Sequence, residues 1–129
     1  MDIRWPIFFV DRDGYMFVCR NQAWFEGHVE QIDAEEGEYK GWDYSGQSVG
    51  VGWDAKTKRP ILEVHANEGK VNALLEAITR YARLLNPSEE FHPSGSDPIM
   101  LFELAEGHGR KATFASKLKR FVKKMTKNR

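Results

Sequence analysis

A chain of 129 residues, 41% apolar and 12% aromatic, is the usual size of one domain, here read as 1–129. It can build a core without disulfides or a structural metal. Equal numbers of acidic and basic residues, 19 each, exclude a uniformly charged protein, and no apolar run approaches the length of a membrane-spanning helix. One cysteine, Cys19, excludes a disulfide framework.

The start, Met1-Asp2-Ile3-Arg4-Trp5-Pro6, lacks the basic region and small-residue cleavage site of a signal peptide, so a cytoplasmic location is expected. Ile3 to Val10 is rich in Ile, Phe and Val and reads as a strand. Pro6 has no backbone donor, which predicts an edge position or a bulge. Asp11-Arg12-Asp13-Gly14 is a turn, and Tyr15 to Cys19 returns as a second strand. Asn21 can cap a short helix through Val29. Gly37 to Asp43 is a third strand candidate, followed by a turn at Tyr44-Ser45-Gly46. In the fourth strand, Gln47 to Trp53, Val49, Val51 and Trp53 face one way, and Ser48, Gly50 and Gly52 the other. These glycines imply close approach by a backbone or an aromatic ring. After the polar loop Asp54 to Lys58, Pro60 to His65 is the fifth strand.

Val71, Leu74, Leu75, Ile78, Ala82 and Leu85 fall at helical spacing. Asn67 is the expected N-cap, and Asn86-Pro87 the stop. This helix is expected to cover the sheet and to bury Leu74, Leu75 and Ile78, with Val49 and Val51 buried on the strands. Asp97-Pro98 starts a short helix, Ile99 to Glu106, which Gly107 and Gly109 should end. A last basic helix, Ala112 to Met125, carries the stripe Phe114, Leu118, Phe121, Val122 and Met125. Strands first and helices after predict an α+β domain, an antiparallel sheet of about five strands with helices packed on one face.

The even charge balance hides a split. Nine Lys and Arg residues lie between His108 and Arg129 with no acid among them, so 108–129 reads as a basic C-terminal helix. The first 107 residues therefore carry about nine negative charges in excess. Glu26, Glu30, Asp33, Glu35, Glu36, Glu38 and Asp43 surround a single Lys40. These acids form either a solvated surface, a face for a basic partner, or a seat for the chain's own basic tail. Trp24, Tyr39, Trp42 and Tyr44 stand beside them as candidate anchors.

Signals for chemistry are thin. His28, His65, His92 and His108 are far apart and show no metal-ligand spacing. His65, near Glu63 and Glu68, reads as a strand-end histidine, with a metal-ligand or general-base role as the alternative. Cys19 reads as a small apolar core residue. The glycines of Gly46, Gly50 and Gly52 precede no helix, so they are not a phosphate loop. Asp11-x-Asp13-Gly14 lacks the later ligands of a calcium loop. No catalytic, cofactor-binding or metal-binding residue is expected, and no cofactor.

The run Trp5-Pro6-Ile7, Asp13-Gly14, Val29-Glu30-Gln31-Ile32-Asp33, Glu36-Gly37-Glu38-Tyr39, Trp42-Asp43 and Gly46 resembles small bacterial α+β proteins. Some of that group are thought to be immunity proteins for polymorphic toxins. The resemblance covers roughly the first half of the chain and brings no catalytic residue with it. It implies a non-enzymatic binding protein that blocks a partner such as a toxin, and the acid cluster adds the expectation that this partner is basic. The candidate partner-binding residues are Glu30, Asp33, Glu35, Glu36, Glu38, Trp42 and Asp43. The alternative is a nucleic-acid-associated protein acting through the basic C-terminal helix, which would bind polyanions weakly and non-specifically.

Overall fold

Short runs of aromatic and β-branched residues fold here as five antiparallel strands. The computed structural model describes residues 3–35, 37, 39–65 and 71–127, with the backbone alone at 32, 33 and 113–127. The strands are β1 (Ile7–Val10), β2 (Met16–Cys19), β3 (Lys40–Trp42), β4 (Ser48–Asp54) and β5 (Arg59–Val64). Between β2 and β3 lie two short helices, α1 (Gln22–His28) and α2 (Gln31–Glu35). The sheet order is β2-β1-β3-β4-β5, with every pair antiparallel. Contacts gather the chain into two units, residues 1–77 and 78–129.

In the first unit the register puts Ile7 opposite Cys19, Phe9 opposite both Phe17 and Gly41, and Val49 opposite Gly41 and Val64. Side chains alternate along a strand. Ile7, Phe9, Cys19, Val49 and Val51 therefore share one face, and Phe25, Val29 and Ala34 of the α1–α2 segment pack onto it. Phe9 is the centre, with ring centroids 5.5 Å from Phe17 and 6.0 Å from Phe25. Gly41 leaves room for that ring, since a Cβ there would lie 2.7 Å from Phe9 Cδ1. Thus α1 and α2 line the sheet's core face. The second of them was not foreseen, because its polar sequence shows no apolar stripe.

The expected edge position of the first strand is not observed. β1 lies between β2 and β3. Pro6 precedes the strand, after a cis Trp5–Pro6 peptide, so no ladder bond is lost. Asn21 caps α1 as expected: its Oδ1 accepts the Trp24 N–H at 2.8 Å. The third strand begins at Lys40, later than Gly37.

In the chain order, α3 (Val71–Leu85) and α4 (Pro98–Lys127) follow. Leu74, Ile78 and Ala82 are fully buried, whereas Leu75 is only half-buried. The expected cap Asn67 and neighbouring Glu68 lie outside the described residues. Within the second unit, Tyr81 stacks on Phe102 at 5.8 Å and its hydroxyl donates to Glu106 at 3.2 Å, joining α3 to α4. Asp97 starts α4 as expected, its Oδ1 accepting the Ile99 N–H at 2.9 Å.

The two expected C-terminal helices are one. α4 runs 30 residues without a break through Gly107 and Gly109. A glycine inside a helix costs only about 1 kcal/mol, and tertiary contact here outweighs it. A Cβ on Gly109 would lie 2.8 Å from Leu85 Cδ1, so the glycine lets α3 and α4 approach. Next to it, His108 and Asn86 clasp each other. Asn86 Nδ2 donates to His108 O at 3.1 Å, and His108 Nε2 donates to Asn86 O at 3.1 Å. The side chains of the expected stripe Phe114 to Met125 lie outside the described residues.

Candidate partner-binding surface

The acids between Glu26 and Asp43 divide by burial. Asp43 is fully buried. Its Oδ1 accepts from Ser45 N, Ser45 Oγ and Gln47 N at 3.0, 2.7 and 2.9 Å, and its Oδ2 accepts from Arg4 N at 3.1 Å. It ties the β3–β4 turn to the N-terminal segment and offers no surface to a partner. Trp42 is 5% exposed and lies on the opposite sheet face from Phe9. These two residues are corrected from contact residues to structural ones. Alternation in a strand shows only that neighbours diverge, not which of the two faces meets water.

Glu26, Glu30 and Glu35 are exposed along α1 and α2. Each helix orders its carboxylates from within: Gln22 donates to Glu26 at 3.3 Å, and Gln31 to Glu35 at 2.9 Å. Arg59 reaches Glu26 at 4.0 Å, an exposed pair worth little. Beside them the Trp24 and His28 rings stack at 4.0 Å, and His28 Nδ1 lies 2.8 Å from Trp24 O. The side chain of Asp33, and Glu36 and Glu38 altogether, lie outside the described residues. Of the expected anchors, Trp24 and Tyr39 are half-buried, and Tyr44 is exposed.

Among the described residues no three His, Cys, Asp or Glu side chains are placed to hold a metal ion. Cys19 is buried, and burial pushes its thiol up from 9.0 to about 11, so it stays protonated at neutral pH. His65 is exposed at the end of β5, its ring against Gly50: a Cβ there would meet Nε2 at 2.6 Å. The glycine next along β4, Gly52, makes room instead for the Glu63 side chain.

One surface was not foreseen. A groove of about 480 Å³ in the second unit runs between Glu90, Phe91 and His92 on one side and Glu103, Leu104, Gly107 and His108 on the other, with Arg110 and Lys111 at its end. Met100 is 63% exposed on the same helix. The spacing of Met100 and Leu104 was available in the sequence, but periodicity does not say which apolar positions stay uncovered.

Compared with protein families, curated proteins and solved structures, this chain matches none. No helix among the described residues is long and apolar enough to cross a membrane.

Proposed function

We propose that the chain is a non-enzymatic binding protein that presents the α1–α2 acids to a basic protein partner, in the manner of an immunity protein against a toxin. The observation that carries this reading is the exposure of Glu26, Glu30 and Glu35 on two short helices anchored to the sheet core through Phe25, Val29 and Ala34. A clustered charge on a fixed scaffold raises association rates and discriminates between partners. The protonated Cys19 and the scattered histidines support binding rather than nucleophilic or metal chemistry. The test is a native-cell pull-down followed by surface plasmon resonance with the recovered basic protein. Glu30→Lys/Glu35→Lys should slow association about tenfold at low salt, with the melting temperature unchanged. An unchanged on-rate would overturn the reading.

A second reading is favoured by the continuity of α4. The bases from Arg110 to Lys127 lie on one unbroken helix, and Arg110 and Lys111 are exposed. Such a helix would contact nucleic-acid phosphates with strong salt dependence and without sequence preference. Gel shifts with random duplex DNA at two salt concentrations separate the readings, because DNA binding would be indifferent to Glu30 and Glu35.

A further inference from the structure

The sheet ends at β5, and the directions of its backbone groups follow from the ladder. His65 N–H donates to Ser48 O at 3.1 Å, and Gly50, Gly52 and Asp54 stand opposite Glu63, Ile61 and Arg59. Hydrogen-bonded pairs alternate along an antiparallel ladder. Arg59, Ile61, Glu63 and His65 therefore direct their backbone groups at β4. Pro60, Leu62 and Val64 direct theirs away from it, at the edge that no described strand pairs. Proline is tolerated inside this strand because its missing donor falls on that edge. The other edge strand, β2, has four residues; Met16, one of its outward-facing pair, is buried, as is Pro60 on β5. β5 is longer, and Ile61 on it is 41% exposed.

We propose that β5 is a self-association edge, where two copies of the chain pair their β5 strands antiparallel about Leu62 and merge their sheets into one. The strand is complementary to itself in that register, as a two-fold interface requires. Leu62 N–H of each copy donates to Leu62 C=O of the other, and Val64 N–H to Pro60 C=O. On the core face Pro60 meets Val64, and Leu62 meets Leu62, an apolar row. On the other face Arg59 of each copy lies diagonal to Glu63 of the other, within reach of long side chains. Its guanidinium, 4.0 Å from Glu26 in its own chain, has donors for both. Sliding one pair towards Arg59 sets the missing N–H of Pro60 against Leu62 and loses bonds. Sliding the other way puts Glu63 against Glu63. The proline and the charge order together select the register about Leu62.

Sedimentation equilibrium of the full chain from micromolar to millimolar concentration tests this. The wild type should form a dimer, and Leu62→Pro should weaken it by about tenfold or more. The N–H removed points off the sheet, so the far-ultraviolet circular dichroism should be unchanged. A wild type that stays monomeric throughout, or a folded Leu62→Pro that dimerises as before, overturns the proposal. Should Leu62→Pro unfold, charge exchange decides: Arg59→Glu should weaken the dimer, and Arg59→Glu/Glu63→Arg should restore it. Failure of that restoration overturns the proposed register and the edge with it.

Discussion

The strand-built unit and the helical unit keep buried polar groups out of water in opposite ways. In the first, Asp43 is satisfied almost entirely by its own turn, through Ser45 and Gln47, with Arg4 N added from afar. In the second, Asn86 and His108 lie 22 residues apart and exchange two bonds, with Ser88 Oγ donating locally to Asn86 Oδ1 at 2.9 Å. A local network forms as soon as the turn forms. A distant one forms only after two helices have packed. The first should therefore be the more costly to remove, since four donors lose one ionised acceptor, and the second should depend on helix–helix contact.

The sharpest test compares the two sites directly. Asp43→Ala should destabilise by about 3 kcal/mol or more, because buried N–H groups lose a charged partner. Asn86→Ala should cost about 2 kcal/mol, since His108 O loses the Nδ2 donor and Ser88 Oγ loses its acceptor, while the His108 Nε2 bond to the main-chain O of residue 86 remains. Urea unfolding measures both. An Asn86→Ala penalty larger than that of Asp43→Ala would break the comparison.

The glycines of α4 sharpen the same contrast within one helix. Gly109→Ala should destabilise by about 1–3 kcal/mol, since its Cβ would press on Leu85. Gly107→Ala should stabilise by about 0.5–1 kcal/mol, because its Cβ would meet only Arg110 Nη2, at an ordinary 3.5 Å. Thermal melts of the two variants should shift in opposite directions. A shift of the same sign in both would remove Leu85 as the reason for Gly109.

The last effect is alkaline and belongs to the strand-built unit. Cys19 has its thiol raised to about 11 in the fold, from an ordinary 9.0. The unfolded chain thus ionises first. The thiol's contribution to stability is fully present below pH 9 and is lost as pH climbs towards 11. The stability difference between wild type and Cys19→Ala should shrink across that window and stay level below it. A difference that is flat throughout would show that burial does not hold the thiol protonated.

Strand alternation, the Asn21 cap, the Asp97-Pro98 start and the Asn86-Pro87 stop were all legible in the sequence. Each rests on a residue acting within four positions of itself, through a side-chain hydrogen bond, a fixed φ or a two-residue period. The same local logic gave the facing sets of β4. It gave the exposed acids Glu30 and Glu35 as well, because a charged carboxylate is costly to bury and stays in water.

What the chain order could not decide is what lies across from each residue. Trp42 and Asp43 look like surface beside their acidic neighbours, yet Trp42 is buried on the sheet face opposite Phe9 and Asp43 lies under the bonds of its turn. Pro6 looks like an edge marker, yet β1 begins after it. Gly107 and Gly109 look like a helix end, yet α4 continues because Leu85 needs the space at Gly109. The sequence determined periodicity, caps and charge placement, which act over one or two turns of chain. Only the tertiary structure decided burial, strand order and the meeting of α3 with α4, because those depend on atoms brought together from distant positions.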